Sequence, residues 1–163
     1  MASMQGDKFH NKTALVTGAA SGIGKAIAEA LASRGTWVVL ADVDGSRAEK
    51  AATEIADRTG GATAAPLDVT NPEAFTALVD RIIGERGQLD FLVNNAGTAV
   101  GGEVQDLSIE HWDRVLDVNL KGTVNGVQAV YPGMVKRGEG HIVKRRFARR
   151  FRSNSLVDAL CDI

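Results

Sequence analysis

The segment Thr17-Gly18-Ala19-Ala20-Ser21-Gly22-Ile23-Gly24 places three glycines between an apolar run and a helical period. Gly18 allows a tight turn, and Gly22 removes a side chain where the backbone must approach a pyrophosphate. Gly24 lets the following helix pack closely on a sheet. The free N–H groups at the start of that helix attract an anion. This pattern predicts a phosphate cradle for a dinucleotide, and the alternative is an ordinary glycine-rich loop.

A carboxylate follows the glycines at an informative distance. Asp42 ends the next apolar run, near the spacing at which an acidic residue accepts hydrogen bonds from the adenosine ribose. Its charge would repel a 2′-phosphate, so the residue favours NAD over NADP. The alternative is a turn aspartate, because Asp44-Gly45 follows directly.

The elements that must position these residues alternate between strand and helix. Short apolar runs rich in β-branched residues predict strands at Thr13–Thr17, Trp37–Asp42, Thr63–Val69, Leu89–Asn94 and Gly140–Val143. Strands that alternate with helical periods imply right-handed crossovers and a parallel α/β sheet.

Capping residues and apolar periodicity predict the helices. The first covers Ile23–Arg34 and ends before Gly35, and the second covers Ser46–Thr59. The third begins with Asn71 as N-cap and Pro72 at the first helical position. The expected inward residues are Ile23, Ile27, Ala30 and Leu31, then Ala48, Ala52, Ile55 and Ala56, then Phe75, Leu78, Val79, Ile82 and Ile83.

A longer helical region is expected over Ser108–Arg137. Ser108 should cap it, and a bend or break is expected near Gly122, Gly126 or Pro132.

These motifs, in this order, identify a resemblance to the short-chain dehydrogenase/reductase family. The glycine segment, which includes Ser21 and Ile23, has the family's T-G-x-x-x-G-x-G form. The resemblance implies a Rossmann-like, doubly wound parallel sheet of order 3-2-1-4-5. It also implies NAD as cofactor, no metal, and hydride transfer between NAD(H) and an alcohol or carbonyl substrate.

Three further segments carry the resemblance and its implied roles. Asp68 and Val69 match the position after the third strand, where the aspartate contacts the adenine amino group. Asn94-Asn95-Ala96-Gly97 matches the segment that supports the sheet and lines the cofactor, with Asn95, Ala96 and Gly97 as the expected contacts. Asn119 matches the helix asparagine that holds a water in the family's proton relay.

The rest of the family's catalytic set is missing from these 163 residues. The family uses a tyrosine as general acid/base, a lysine four residues later, and a serine before both. The one tyrosine, Tyr131, precedes the fifth strand, and Val135 stands four positions later. We therefore expect Asn119 to be a catalytic remnant and the chain to be inactive alone. Residues 1–143 would form an incomplete dinucleotide-binding domain without the family's later strands.

The segment 144–163 differs in composition, because six of its residues are basic: Lys144, Arg145, Arg146, Arg149, Arg150 and Arg152. We hypothesise that it is a frameshift product. With permissible codons, reading one base later restores a serine motif at Phe147 and a tyrosine at Leu160. Two other interpretations stay open, an NAD-binding pseudoenzyme and a basic-tailed protein that binds nucleic acid or acidic surfaces. A short helix over Ser155–Ile163 is a further prediction.

The remaining features concern location and association. The chain has one cysteine, Cys161, a polar start at Met1–His10 and no membrane-length apolar run, so we expect a cytoplasmic protein without a membrane partner. The fifth strand should expose an unpaired edge. Val115, Leu116, Val124 and Val127 are expected to lack cover, which predicts marginal stability and self-association.

Overall fold

In the computed structural model, which describes residues 7–145, five parallel strands form one sheet in the order β3-β2-β1-β4-β5. The strands are β1 (Thr13–Thr17), β2 (Trp37–Asp42), β3 (Ala62–Pro66), β4 (Phe91–Asn94) and β5 (His141–Lys144). The helices are α1 (Gly22–Ala32), α2 (Gly45–Thr59), α3 (Pro72–Arg86), α4 (Ile109–Leu116) and α5 (Gly122–Arg137). The predicted Rossmann-like order is confirmed. The predictions for the basic tail beyond residue 145 lie outside the described residues.

The central strand β1 is buried along its whole length, as its apolar run predicts. Leu15 pairs with Val39 of β2 on one side and with Leu92 of β4 on the other. The chain leaves β1 toward β2 and returns later to β4, so the strand order reverses between β1 and β4. In open parallel sheets a ligand crevice lies at the carboxyl ends of the strands at such a reversal.

Three strand boundaries differ from the prediction. The third strand was expected over Thr63–Val69, but β3 covers Ala62–Pro66 because Asp68 begins a turn. The Asp68 carbonyl accepts from the backbone N–H of Asn71 at 3.1 Å. β4 begins two residues later than expected, and β5 is displaced by one residue toward the C-terminus.

The packing face predicted for the first helix was wrong in part. The buried residues of α1 are Gly24, Ala28 and Ala32, spaced four apart. This stripe of small residues lets the helix axis approach the sheet. Ile27 and Leu31 pack beside it half-buried, as the second hydrophobic layer. Ile23 is 55% exposed, and Ala30 is also exposed, because both lie away from the small-residue stripe.

The end of α1 also differs from the prediction. The helix ends at Ala32 with Ser33 as its C-cap, and not at Arg34 with Gly35 as its C-cap; Gly35 lies in the turn beyond at φ +82°.

The next two helices follow their predicted faces more closely. In α2, Ala48, Ala52 and Ile55 are buried as expected, whereas Ala56 is only half-buried because Ala51 completes the buried face instead. In α3, Asn71 accepts from the backbone N–H of Ala74 at 2.9 Å, with Pro72 in the first turn, as predicted. Its predicted inward residues pack in one core cluster, with Ile83 half-buried.

The long helical region has three parts. Ser108 caps α4, as predicted, and a π-helical segment over Asp117–Lys121 separates α4 from α5. The irregularity therefore ends at Gly122, one of the three expected positions, while Pro132 lies within α5.

Cover for the apolar residues of this region is uneven. Val115 is buried, so the expectation that it lacks cover was wrong, and Leu116 and Val127 are half-buried. Val124 is 48% exposed, as expected. Strand β5 lies at the sheet edge and pairs with β4 among the described residues.

Candidate functional site

One cavity of about 820 Å³ opens at the carboxyl ends of the strands. It is lined by residues that follow each of the five strands, together with residues of α4 and the π-helical segment. The structure brings all of the sequence-predicted cofactor residues to this cavity: Gly18, Ser21, Gly22, Ile23, Gly24, Asp42, Asp68, Val69, Asn95, Ala96 and Gly97.

The glycine turn has backbone geometry that requires glycine at two positions. Gly18 and Gly22 have φ values of +62° and +56°, in the left-handed region that side chains disfavour. A Cβ on Gly18 would lie 2.8 Å from the Cα of Ala96. A Cβ on Gly24 would overlap the carbonyl oxygen of Gly18 and the Asn95 amide. No heavy atom lies within 4 Å of a Cβ position on Gly22, so this residue faces open cavity space, and the turn fits a pyrophosphate cradle.

Asn95 and Thr17 fasten that turn to β4. The Asn95 Nδ2 group donates to the carbonyl oxygens of Thr17 and Gly18, at 2.8 and 3.0 Å. The Thr17 hydroxyl accepts from the backbone N–H groups of Asn95 and Ala96, at 3.1 and 3.0 Å. Four hydrogen bonds therefore hold the two sides of the crevice together.

The Asp42 carboxylate is held by backbone donors. Its Oδ2 accepts from Ala20 N at 3.0 Å, and its Oδ1 accepts from Asp44 N at 3.1 Å. Ala20 belongs to the glycine turn, so Asp42 is oriented by the loop that would hold the phosphates. A carboxylate oxygen accepts more than one hydrogen bond, and capacity for ribose hydroxyls remains.

The segment after β3 forms the next wall of the cavity. The Asp68 carboxylate accepts from the Thr70 backbone N–H at 2.9 Å and from its hydroxyl at 2.8 Å. These bonds fix Asp68 in a turn at the rim, while the adjacent Val69 is buried under it. The wall thus offers one carboxylate and an apolar surface side by side.

Asn119 does not line the cavity, although its neighbour Val118 does. It lies in the π-helical segment, where its side chain exchanges two hydrogen bonds with the backbone of Thr98, at 2.8 and 3.0 Å. The backbone carbonyl oxygen of Asn119 accepts from Lys144 Nζ at 2.9 Å and from the Thr123 hydroxyl at 2.8 Å. Burial, and secondarily the charge of Arg145, lowers the pKa of Lys144.

Sequence reasoning missed eight residues that line the cavity: Val43, Leu67, Thr70, Thr98, Arg114, Asp117, Val118 and Arg145. Several of these eight residues are sequence neighbours of predicted site residues. Extending each predicted motif by one or two residues would have found them. Arg114 and Asp117 carried no such signal, because their placement depends on how α4 and the π-helical segment pack beside the crevice. Asp117 forms an ion pair with Lys121 at 2.6 Å.

Tyr131 lies on α5, is 58% exposed and does not line the cavity. Among residues 7–145, no group of three or more His, Cys, Asp or Glu side chains is arranged to hold a metal ion. None of the helices in that range has the length and apolarity needed to cross a membrane.

The fold and the cavity define an α/β protein with a Rossmann-like parallel sheet and a crevice at the carboxyl ends of its strands, and comparison with known families makes the assignment specific. The short-chain dehydrogenase family profile matches residues 12–145. The chain belongs to this family.

Individual relatives agree with the family assignment. An uncharacterized oxidoreductase of Staphylococcus saprophyticus is 40% identical over 137 residues, which cover 83% of this chain and 58% of that protein. The D-threitol dehydrogenase of Mycolicibacterium smegmatis is 39% identical over 136 residues, covering 83% of this chain and 52% of that protein. A crystal structure of NAD⁺-bound xylitol dehydrogenase matches with a TM-score of 0.81 at 37% identity. The match covers 85% of this chain and 54% of the xylitol dehydrogenase chain. The chain thus spans about half the length of these relatives.

Proposed function

We propose that the cavity at the carboxyl edge of the sheet binds NAD(H). The observation that carries this proposal is the convergence of the glycine turn, Asp42, Asp68 and the segment beginning at Asn95 on one cavity. In this proposal the turn over Gly18–Gly24 holds the pyrophosphate, and Asp42 accepts the ribose hydroxyls. Asp68 and Val69 bind the adenine. When bound, NAD(H) supplies hydride transfer chemistry.

The electrostatics of the same region support NAD over NADP. Asp42 places a negative charge where a 2′-phosphate would lie, and the next residue, Val43, is 77% exposed at the cavity and carries no compensating charge. The NAD⁺-bound state of the xylitol dehydrogenase structure agrees with this preference.

Calorimetric titration of NAD⁺ and NADH into the purified chain tests the binding proposal. Gly22→Ala places a methyl group in the cradle and should weaken binding at least about tenfold through contact with the phosphates. Gly60→Ala is its matched control. Gly60 also has positive φ, at +72°, and also has open space around a Cβ, but it lies at the end of α2 and does not line the cavity. Absence of binding at millimolar concentrations would refute the proposal.

We further propose that these 163 residues bind the cofactor without turning over substrate alone. Tyr131 is displaced from the cavity, and no lysine lies four residues after it. Because two relatives are named for D-threitol and xylitol, polyols are the first substrates to test. NADH absorbance, followed with NAD⁺ and either polyol, should show no turnover, and cofactor-dependent turnover by this chain would contradict us.

Exposed apolar side chains support the predicted self-association. Leu120, Val124, Tyr131 and Val135 are exposed on one side of the π-helical segment and α5. We propose that copies of this chain associate through this face and through the β5 edge. We also propose that the protein is cytoplasmic. Sedimentation velocity over a range of concentrations should show a growing oligomer fraction, and a monomer throughout would refute it.

A further inference from the structure

Helix α5 contacts the segment after β3, which forms the cavity wall proposed to bind adenine. The Asn125 Nδ2 group donates to the backbone carbonyl oxygen of Val69 at 2.9 Å. About one turn earlier, Gly122 is buried against the same residue, and a Cβ on Gly122 would lie 2.7 Å from Val69 Cγ2. Residues three apart share one face of a helix, so a single face of α5 meets Val69 with a close packing contact and a hydrogen bond.

The turn between β3 and α3 is held to the rest of the protein at two places. At its start, the Leu67 backbone N–H donates to the Asp42 carbonyl oxygen at 2.9 Å, which ties the turn to β2. Further along, the Val69 carbonyl oxygen accepts from Asn125, which ties it to α5. The second attachment comes from a side chain distant in sequence, so a single substitution can remove it.

One planar peptide group connects Asn125 to the Asp68 carboxylate. The Val69 carbonyl that accepts from Asn125 and the Thr70 N–H that donates to Asp68 Oδ1 at 2.9 Å belong to the same peptide bond. Because a peptide bond is planar, fixing its carbonyl oxygen also fixes the direction of its N–H. A hydrogen bond to the carbonyl also polarises the group and strengthens its N–H as a donor. Asn125 therefore controls the donor that orients Asp68.

Asn125 can act on a bound ligand only through this connection. It is half-buried and does not line the cavity, whereas Asp68, Val69 and Thr70 all line it. Val69 is 7% exposed, so little water competes at the site of the contact. The arrangement is that of a residue behind the wall which sets the position of the groups on its inner surface.

We propose that Asn125 is a positioning residue that sets base selectivity at the adenine end of the cavity. This step rests on the proposed function, in which Asp68 accepts a hydrogen bond from the adenine amino group. In hypoxanthine a carbonyl oxygen replaces that amino group, and a carboxylate has no proton to donate to it. The preference for adenine therefore depends on the placement of the Asp68 carboxylate, which Asn125 controls through the Val69–Thr70 peptide.

Calorimetric titration of NAD⁺ and of nicotinamide hypoxanthine dinucleotide into the purified chain measures this selectivity. The two ligands differ in the base alone and carry the same charge at neutral pH. The charged residues at the cavity, Asp42, Arg114, Asp117 and Arg145, therefore act on both ligands alike. We expect the unmodified chain to bind NAD⁺ at least about tenfold more tightly, because hydrogen bonds to a carboxylate are among the stronger ones.

Two substitutions remove the donor and differ in size. Asn125→Ala truncates the side chain, and Asn125→Leu keeps a similar volume without an N–H group. In both variants the affinity for NAD⁺ should fall at least about fivefold, while the affinity for the hypoxanthine analogue should stay within about twofold of its original value. Gln128→Ala removes an exposed amide from the same helix, at a residue that does not line the cavity, and should change neither affinity.

The outcomes separate this inference from the proposed function. A parallel loss of both ligands in the two variants would overturn the inference, because Asn125 would then only support the fold. An unchanged preference for NAD⁺ would overturn it as well. If the unmodified chain binds both dinucleotides equally, Asp68 does not select the base, and the inference fails while the cofactor site stands. If it binds neither, the proposed function fails together with the inference.

Discussion

Asn95 donates two hydrogen bonds to Thr17 across the crevice between β1 and β4. The Asn95 side chain donates to the Thr17 carbonyl oxygen at 2.8 Å, and the Asn95 backbone N–H donates to the Thr17 hydroxyl at 3.1 Å. Thr17 is 1% exposed and Asn95 is 6% exposed, so water competes little for these groups. The contact joins the turn proposed to hold the phosphates to the segment proposed to line the cofactor.

The Thr17 hydroxyl should contribute measurably to stability. Thr17→Val preserves the side-chain shape but leaves the backbone N–H of Ala96 without its acceptor, while that of Asn95 still donates to the Val93 carbonyl oxygen at 3.0 Å. An unsatisfied buried donor costs about 1–3 kcal/mol. Thr17→Ser keeps the hydroxyl and loses a methyl group, at a cost of about 1 kcal/mol. Urea unfolding should rank wild type, Thr17→Ser and Thr17→Val in falling stability. Equal losses for the two variants would show that the hydroxyl is unimportant.

Asp42 should control the choice between the two nicotinamide cofactors. Asp42→Asn removes the charge that repels a 2′-phosphate and one acceptor oxygen, so NAD⁺ should bind about tenfold more weakly and NADP⁺ more tightly. Asp44→Asn is the matched control, because asparagine also caps helices and Asp44 does not line the cavity. Titrations with both cofactors measure the ratio. An unchanged NAD⁺/NADP⁺ ratio in Asp42→Asn would contradict the assigned role.

Gly126 should be needed for the packing of α5 on the sheet. A Cβ at this position would lie 2.5 Å from Asn94 Oδ1 and 2.9 Å from Phe75 Cζ, both on buried residues. Gly126→Ala should therefore destabilise the protein by about 1–3 kcal/mol through overpacking. Gly84→Ala in α3 meets no atom within 4 Å and should stabilise by up to about 1 kcal/mol through helix propensity. Thermal unfolding of both variants gives the comparison, and stabilisation by both would argue against close packing at Gly126.

The ion pair between Lys12 and Glu139 should make stability depend on pH at both extremes. The hydrogen bond from Lys12 lowers the pKa of Glu139 below 4.5, so this stabilisation is present above pH 4.5 and is lost as the pH falls through the folded-state value. Hydrogen bonds to Glu139 and Asp90 raise the pKa of Lys12 above 10.5, so its contribution is present below pH 10.5 and is lost as the pH rises through the folded-state value.

Comparing wild type with Glu139→Gln by thermal unfolding from pH 3 to 7 measures the acid limb. The difference between them should be small, because the pair is exposed to solvent, and it should shrink toward zero in acid. Glu85→Gln, an exposed carboxylate on α3, should show no such trend. If the difference in thermal stability between wild type and Glu139→Gln grew as the pH fell, it would contradict the sign derived from the pKa shifts.

Local sequence chemistry was sufficient for much of the fold and for the list of candidate site residues. The bounds of β1 and β2 were predicted because fully buried parallel strands require uninterrupted apolar runs. Asn71 and Pro72 predicted the start of α3, because a helix N-terminus requires a hydrogen-bond acceptor for its free N–H groups and tolerates proline. The glycines of the turn were informative because their backbone conformations and close contacts exclude side chains.

Other features depend on contacts between residues distant in sequence, and only the tertiary structure decided them. Periodicity favoured Ile23 as an inward residue, but the sheet accepts the small-residue face of α1, and Ile23 lies at the cavity instead. The packing of α4 and the π-helical segment brings Arg114 and Asp117 to the cavity. The pairing of β5 with β4 likewise brings Arg145 to the cavity. Sequence determined which residues are candidates for cofactor binding, and the order of the strands decided that they share one cavity.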